Sequence, residues 1–278
     1  MSRSAPATPR RRGAKARPPR LDTWLTERGL AESREKARAL VMAGRVQVDG
    51  LEVAKPGAAV RATSDVVVLP GPQHVGRGAL KLAGALDALR VDPAGRVAVD
   101  VGASTGGFTE TLLARGAHRV YAVDVGRAQL HETLRRDPRV VVLERTNARR
   151  LSTREVPEPC GIATVDVSFI SALKILPALR GILSPGADVI VLVKPQFEVG
   201  RRQVGRGGLV RDPALQLAAV RVVALQAMDE LGYALAGATP SPLAGATGNR
   251  EFFLHLGGRG AGLGRVEAEA LLERTVLP

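Results

Sequence analysis

Four charged residues spread over 170 positions are the ones whose types suggest chemistry: Lys81, Asp166, Lys194 and Glu251. Lys194 closes the aliphatic run Val189-Ile-Val-Leu-Val193, and Asp166 closes Ile162-Ala-Thr-Val165. Short apolar runs of this kind read as buried strands. In an open α/β sheet, ligands bind at the carboxyl ends of the strands, so both residues belong on that edge. If a final strand runs antiparallel from Glu251, its beginning lies on the same edge. Lys81, on a helix leading into the first strand, reaches across to it. Two lysines and two carboxylates suit the removal of a proton from a hydroxyl. A lysine titrates near about 10.4 and becomes a base only when burial or a neighbouring cation lowers that value. Lys81 beside Lys194 supplies such a cation, and the two acids fix the ammonium groups. Taken singly, Glu251 also reads as a strand-end acid, Asp166 as a turn acid and Lys81 as a solvated helix lysine.

The second constellation is Asp100, Gly102, Ala103, Ser104, Gly106, Gly107 and Phe108, which follows the first strand and opens a helix. Glycines at such a turn let backbone approach a ligand and let the helix pack on the sheet. The next strand ends at Asp124, 22 residues after Gly102, where a carboxylate accepts hydrogen bonds from ribose hydroxyls. Gly-x-x-x-Gly-Gly is not the dinucleotide spacing. Asp100 would repel a pyrophosphate but suits the ammonium of S-adenosylmethionine, so the turn favours the methyl donor over NAD. Asn147, beyond the third strand, is placed for an adenine contact or simply forms a turn.

The elements that must hold these residues follow from periodicity. Strands are predicted at 97–101, 120–124, 140–143, 162–166, 189–193 and 251–256, with helical stretches between several of them and a helix from Gly78. This pattern predicts a doubly wound, mostly parallel sheet. Ahead of it, Leu21, Trp24 and Leu25 recur at helical spacing up to Gly29, and Ser33 caps a second helix ending at Ala43-Gly44. Val46-Gln-Val48 and Leu51-Glu-Val53 flank Asp49-Gly50, the strongest short signal for a two-residue hairpin. Val66 to Leu69 adds a strand before the break at Pro70-Gly71-Pro72.

Composition bounds the partners. Lys and Arg number 40 against 27 Asp and Glu, a net charge of +13. Seven of the cations fall in the first twenty residues, which read as a disordered basic tail over 1–19. Such charge favours a polyanion through counterion release, although an arginine-rich composition by itself produces the same balance. No apolar run is long enough to span a bilayer, and no apolar signal region follows the basic start. The single cysteine, Cys160, excludes an internal disulfide or a cysteine metal site, so no metal is expected and a cytoplasmic location is.

The stretch from Leu21 to Gly50, with Arg34, Lys36, Arg38 and Arg45 on and after its second helix, resembles the S4 RNA-binding domain, as does the flanking Arg20. Its few aromatics suggest that it positions the protein on RNA rather than reading bases. The stretches DVGASTGGFTE, VYAVDVG, DPRVVVLERTNAR, DVSFIS, LVKPQFEVG and GNREFFL resemble the TlyA family of rRNA (cytidine-2′-O)-methyltransferases, also called haemolysin A, within the FtsJ-like group. The resemblance implies a Rossmann-like methyltransferase domain over 78–278, an S4-type α+β domain over 20–70 and a linker at 71–77. It implies a Lys81, Asp166, Lys194, Glu251 tetrad with Lys194 as the base, S-adenosylmethionine as cofactor, and ribosomal RNA within ribosomal subunits as partner. Gly76 and His74-Val75 depart from the residues common in that family before the first tetrad lysine. By analogy, 197–208 is a glycine-rich loop over the substrate. A non-catalytic RNA-binding assembly factor is the alternative, and a pore-forming toxin a remoter one.

Overall fold

The computed structural model describes residues 18–31, 33–42, 46–53, 55–61, 63–69, 75–245, 247–257 and 262–277. The basic tail up to position 17, the Ala43-Gly44 turn, Arg45, the Pro70-Gly71-Pro72 break and the linker through His74 lie outside the described residues. The chain divides into two compact units between Gln73 and His74.

In the first unit, α1 (Leu21–Glu27) buries Leu21, Trp24 and Leu25, and Gly29 ends it at φ +70°. Ser33 precedes α2 (Arg34–Met42), its hydroxyl accepting from the Lys36 amide at 3.2 Å. The hairpin of β1 (Val46–Val48) and β2 (Leu51–Glu52) turns on Asp49 and Gly50, both at positive φ. That mirror-image turn matches the twist of a two-residue hairpin. A third strand, β3 (Val66–Val68), pairs antiparallel with the other side of β1. Leu21, Leu25, Ala37, Val41, Val46 and Val60 are wholly buried and form the core of the unit.

In the second unit, α3 (Arg77–Leu89) leads into β4 (Val97–Val101), α4 (Gly107–Ala114), β5 (Arg119–Val123), α5 (Glu132–Arg135) and β6 (Val140–Leu143). Then come β7 (Cys160–Val165), α6 (Leu176–Leu179), β8 (Leu183–Val193), α7 (Pro195–Glu198), α8 (Pro213–Asp229), β9 (Ala234–Pro240), β10 (Phe252–Gly257) and α9 (Arg265–Val276). The strand order is β6-β5-β4-β7-β8-β10-β9, parallel from β6 to β8, with β10 antiparallel to both neighbours. Alternate residues of the central strands enter one or the other of two cores, Val99 and Val191 on one face and Ala98 and Ile190 on the opposite face. Burial on both faces explains why these strands read as continuous apolar runs.

Among the described residues, α8, β9 and α9 had no individually predicted bounds. The apolar residues of α8 surround it, from buried Val220 and Val223 to exposed Val222, so no stripe marks it. Strand β9 is built of small residues with weak strand preference and sits at the sheet edge. The face that α9 buries is only Ala268, Leu272 and Val276.

Candidate active site

The chain winds outward from β4 in both directions, and the switch point lies between β4 and β7. Gly102 and Asp166 leave those two strands side by side. A Cβ on Gly102 would stand 2.2 Å from the Asp166 carbonyl oxygen, and its φ is +87°. Glycine is therefore demanded twice, by conformation and by contact. On the same edge, Phe252 of β10 pairs with Val193 of β8, which sets the backbones of Glu251 and Lys194 next to each other. Lys81 comes from the buried face of α3. That helix runs close over α4, where a Cβ on Gly107 would lie 2.8 Å from the Ala79 amide nitrogen.

The four charged residues of the expected tetrad form two ion pairs. Lys81 Nζ donates to Glu251 Oε2 at 2.6 Å, with side chains 11% and 3% exposed. Lys194 Nζ lies 2.5 Å from Asp166 Oδ1, with side chains 12% and 23% exposed, and donates to Ser168 Oγ at 3.0 Å. Asp166 Oδ1 is buried and, among the described residues, has this ion pair without a hydrogen bond of good geometry.

Beside the second pair lies a pocket of about 400 Å³ whose lining includes Gly102, Ser104, Asp124, Asn147, Asp166 and Phe169. The Asp124 carboxylate accepts from the Ser104 amide at 2.9 Å and the Gly126 amide at 2.7 Å, tying the glycine turn to the end of β5. Asn147 Oδ1 accepts from the Arg149 amide at 3.2 Å and so caps the short 3₁₀ turn Ala148–Arg150.

Several residues expected at the ligand do other work. Asp100 is fully buried and absent from the pocket lining. Its two oxygens accept from Thr109 Oγ1 at 2.7 Å and Thr164 Oγ1 at 2.9 Å, and desolvation pushes its pKa up to about 6. Through these bonds it braces β4, α4 and β7 behind the pocket wall. Ala103 and Phe108 belong to the hydrophobic core, with Phe108 against Phe253 at 6.1 Å between ring centroids. Gly106, at φ +100°, is pressed by Leu130 and Leu134.

Sequence reasoning missed Ser168, Phe169, Glu198 and Asn249. Phe169 is 91% exposed at φ +65°, at the pocket mouth, with its ring 5.1 Å from that of Phe197. Glu198 Oε1 accepts from the Ala172 amide at 3.0 Å, and burial raises its pKa. The apolar pair Phe169-Ile170 between two serines in DVSFIS was the available signal for Phe169; nothing local distinguished Glu198 or Asn249.

The expected RNA contacts of the first unit divide. Arg20 and Arg34 both bond to Asp22, which is fully buried; Arg20 Nη2 lies 2.9 Å and Arg34 Nε 3.3 Å from Oδ2. The Arg20 guanidinium holds the Asp22 carboxyl well below the usual carboxylate range. Lys36 and Arg38 are exposed on α2. Arg45 lies outside the described residues.

A doubly wound sheet with a glycine turn and two lysine–carboxylate pairs on its carboxyl edge is the framework of a transferase for small groups. Residues 74–258 match the FtsJ-like methyltransferase family, and residues 19–67 match the S4 domain. The 16S/23S rRNA (cytidine-2′-O)-methyltransferase TlyA of Mycobacterium tuberculosis is 51% identical over 87% of this chain and 90% of its own length. The chain thus belongs to the FtsJ-like methyltransferases and, within them, to the TlyA family. The protein named Hemolysin A from Brachyspira hyodysenteriae is 37% identical over 85% of this chain and 98% of its own. The solved structure of a candidate hemolysin from Streptococcus thermophilus aligns with TM-score 0.71 and 37% identity, over 94% of this chain and 96% of the other. No helix among the described residues is long and apolar enough to cross a membrane.

Proposed function

We propose that this protein transfers a methyl group from S-adenosylmethionine to the ribose 2′-hydroxyl of a cytidine in ribosomal RNA, acting on ribosomal subunits in the cytoplasm. The observation that carries the reading is the pair of lysine–carboxylate contacts on the sheet edge, Lys194 with Asp166, which lines the pocket, and Lys81 with Glu251. The pocket fits the cofactor: its volume suits a nucleoside-sized ligand, Val101, Val123 and Ile175 give it apolar walls, and Asp124 and Asp166 give it two carboxylates.

When bound, S-adenosylmethionine supplies an electrophilic methyl group on a cationic sulfur. Asp124 would hold the ribose hydroxyls of that nucleoside and Asn147 would meet its base edge. Asp166, which lines the pocket and holds Lys194 through Oδ1, would face the cationic end. Lys194, held between Asp166 and Ser168, would orient the attacking 2′-hydroxyl, and only after its ammonium has released a proton to solvent would the neutral amine take the hydroxyl proton. Lys81, anchored by Glu251, fixes the far side of the crevice. Exposed Phe169 offers an aromatic face to the base of the target nucleotide. The S4 unit grips the RNA backbone through Arg38, Lys36, Arg45 and the outward edges of Arg20 and Arg34.

Labelled methyl incorporation into isolated 30S and 50S subunits, followed by mapping of the modified nucleotide, tests this. Incorporation at a cytidine 2′-oxygen is the expected result; folded protein that incorporates nothing would leave the reading without support and favour an assembly factor.

A further inference from the structure

The loop at 200–211 follows Lys194 and α7 directly and carries Arg202, Arg206 and Arg211, all exposed. Among the described residues none of the three has a carboxylate within ion-pair distance. Elsewhere on this unit Arg96, Arg119, Arg135 and Arg221 each have one. The loop is nevertheless held in place. Asn249, 2% exposed, sits beneath it with every polar group of its side chain engaged. Its Oδ1 accepts from the Val210 amide at 2.8 Å; its Nδ2 donates to the Gly208 carbonyl at 2.8 Å and to Thr247 Oγ1 at 3.1 Å. Gln216 Nε2 adds a bond to the Val210 carbonyl at 2.8 Å. A buried amide persists only where its partners are fixed. Two residues further on, Glu251 makes its pair with Lys81.

Gly207 and Gly208 are both at positive φ, with open space where a Cβ would stand, so it is backbone conformation that calls for glycine there. The outcome is a short strap of free guanidinium groups, tied at its root to the segment that delivers a tetrad acid. Planar guanidinium forks match phosphate oxygens.

We propose that the 200–211 loop grips the RNA phosphate backbone through Arg202, Arg206 and Arg211, and that Asn249 is the positioning residue that fixes this grip relative to Glu251. The proposal rests on the reading of RNA as the substrate.

Filter binding of radiolabelled 16S and 23S rRNA to the full chain, over a series of salt concentrations, tests it without recourse to turnover. Replacing Arg202 and Arg206 together by alanine is expected to weaken binding about tenfold and to lower the salt slope by roughly 0.7–0.9 for each phosphate no longer neutralised. Asn249→Ala should weaken binding about fivefold with unchanged affinity for S-adenosylmethionine. In the Asn249→Ala background, the two arginine replacements should add less than about twofold, because their effect already requires the clamp. A merely structural asparagine would give additive losses. Asn249→Asp keeps the acceptor for Val210 and loses the donor to Gly208, so an intermediate loss is expected even if the alanine variant folds poorly. Wild-type affinity in the double arginine variant, or additive losses with Asn249→Ala, overturns the proposal. RNA binding with these dependences but no methyl transfer would sink the catalytic reading and leave this one standing; wild-type protein that fails to bind rRNA removes both.

Discussion

Each unit buries charge, and the two do it differently. In the first, one carboxylate, Asp22, serves two arginines whose side chains remain 53% and 59% exposed. In the second, two lysines are drawn almost out of water, at 11% and 12% exposure, and each has a carboxylate of its own. The guanidinium explains the first case, since it satisfies a buried acid with one edge and keeps its other donors in water. An ammonium is a point charge, and removing it from solvent is costly unless its partner is close. The Asp22 cluster therefore fastens α1 to α2 with cations still free to meet a polyanion. The Lys194 pair stands beside a pocket that Asp166 lines, and charge withdrawn from water at such a place is the arrangement that active sites use.

The strongest test of this contrast is Lys194→Ala. Methyl transfer should fall by about 10³-fold, the scale of a lost proton acceptor, while S-adenosylmethionine titrated calorimetrically binds within about twofold of wild type. Retained turnover breaks the contrast at its centre. Gly102→Ala comes next. Its Cβ would collide with the Asp166 carbonyl at 2.2 Å at a positive φ, and a loss of about 2–4 kcal/mol in stability is expected. Denaturant melts and cofactor titration read it together, and an undisturbed melt would contradict the close approach of β4 and β7.

Asp100 provides a pH test. Its pKa is raised by burial to about 6 in the folded state, against 3.8 for the unconstrained group. Between those values the folded chain binds more protons than the unfolded one, so stability falls as pH rises through that window and stays lowered above it. The displacement corresponds to at most about 3 kcal/mol. Asp100→Asn should therefore melt higher than wild type near pH 8, with the difference closing near pH 4; a constant difference would refute the assignment. Asp22 carries the opposite sign. Its lowered pKa contributes stability that is complete above the ordinary carboxylate range and lost as pH falls below it. Asp22→Ala should cost the first unit about 1–3 kcal/mol, seen as faster amide exchange in α1, without slowing transfer under saturating RNA. A slowed chemical step would erase the distinction between the two clusters. The smallest effect is expected for Arg38→Ala: rRNA affinity a few-fold weaker on every sequence and a salt slope reduced by roughly 0.7–0.9. An unchanged slope would move the backbone contact elsewhere.

Much of the framework was legible along the chain. The Asp49-Gly50 hairpin, both helices of the first unit and five parallel strands follow from local rules of turn chemistry and apolar patterning. Strands β1, β4 and β6 have the predicted bounds, β8 begins six residues earlier than predicted, and the other predicted strands differ by one or two residues at their ends. The site was legible in part. The strand-end positions of Asp166 and Lys194 and the glycine turn could be read from adjacent residues. Asp100 could not, because its two threonine partners stand 9 and 64 residues away and withdraw it from the pocket. Asn249 was equally hidden, since two of its three partners, Val210 and Gly208, lie about forty residues upstream in a loop without periodicity.

What the sequence determined by itself is the order of elements, the family and the edge on which charge collects, since patterning, caps and turns act between near neighbours. Which lysine meets which acid was decided only in three dimensions. Lys81 and Glu251 are 170 residues apart, and no local rule brings them together. Their distance of 2.6 Å exists because Gly107 admits α3 close to α4 while β10 runs back along β8.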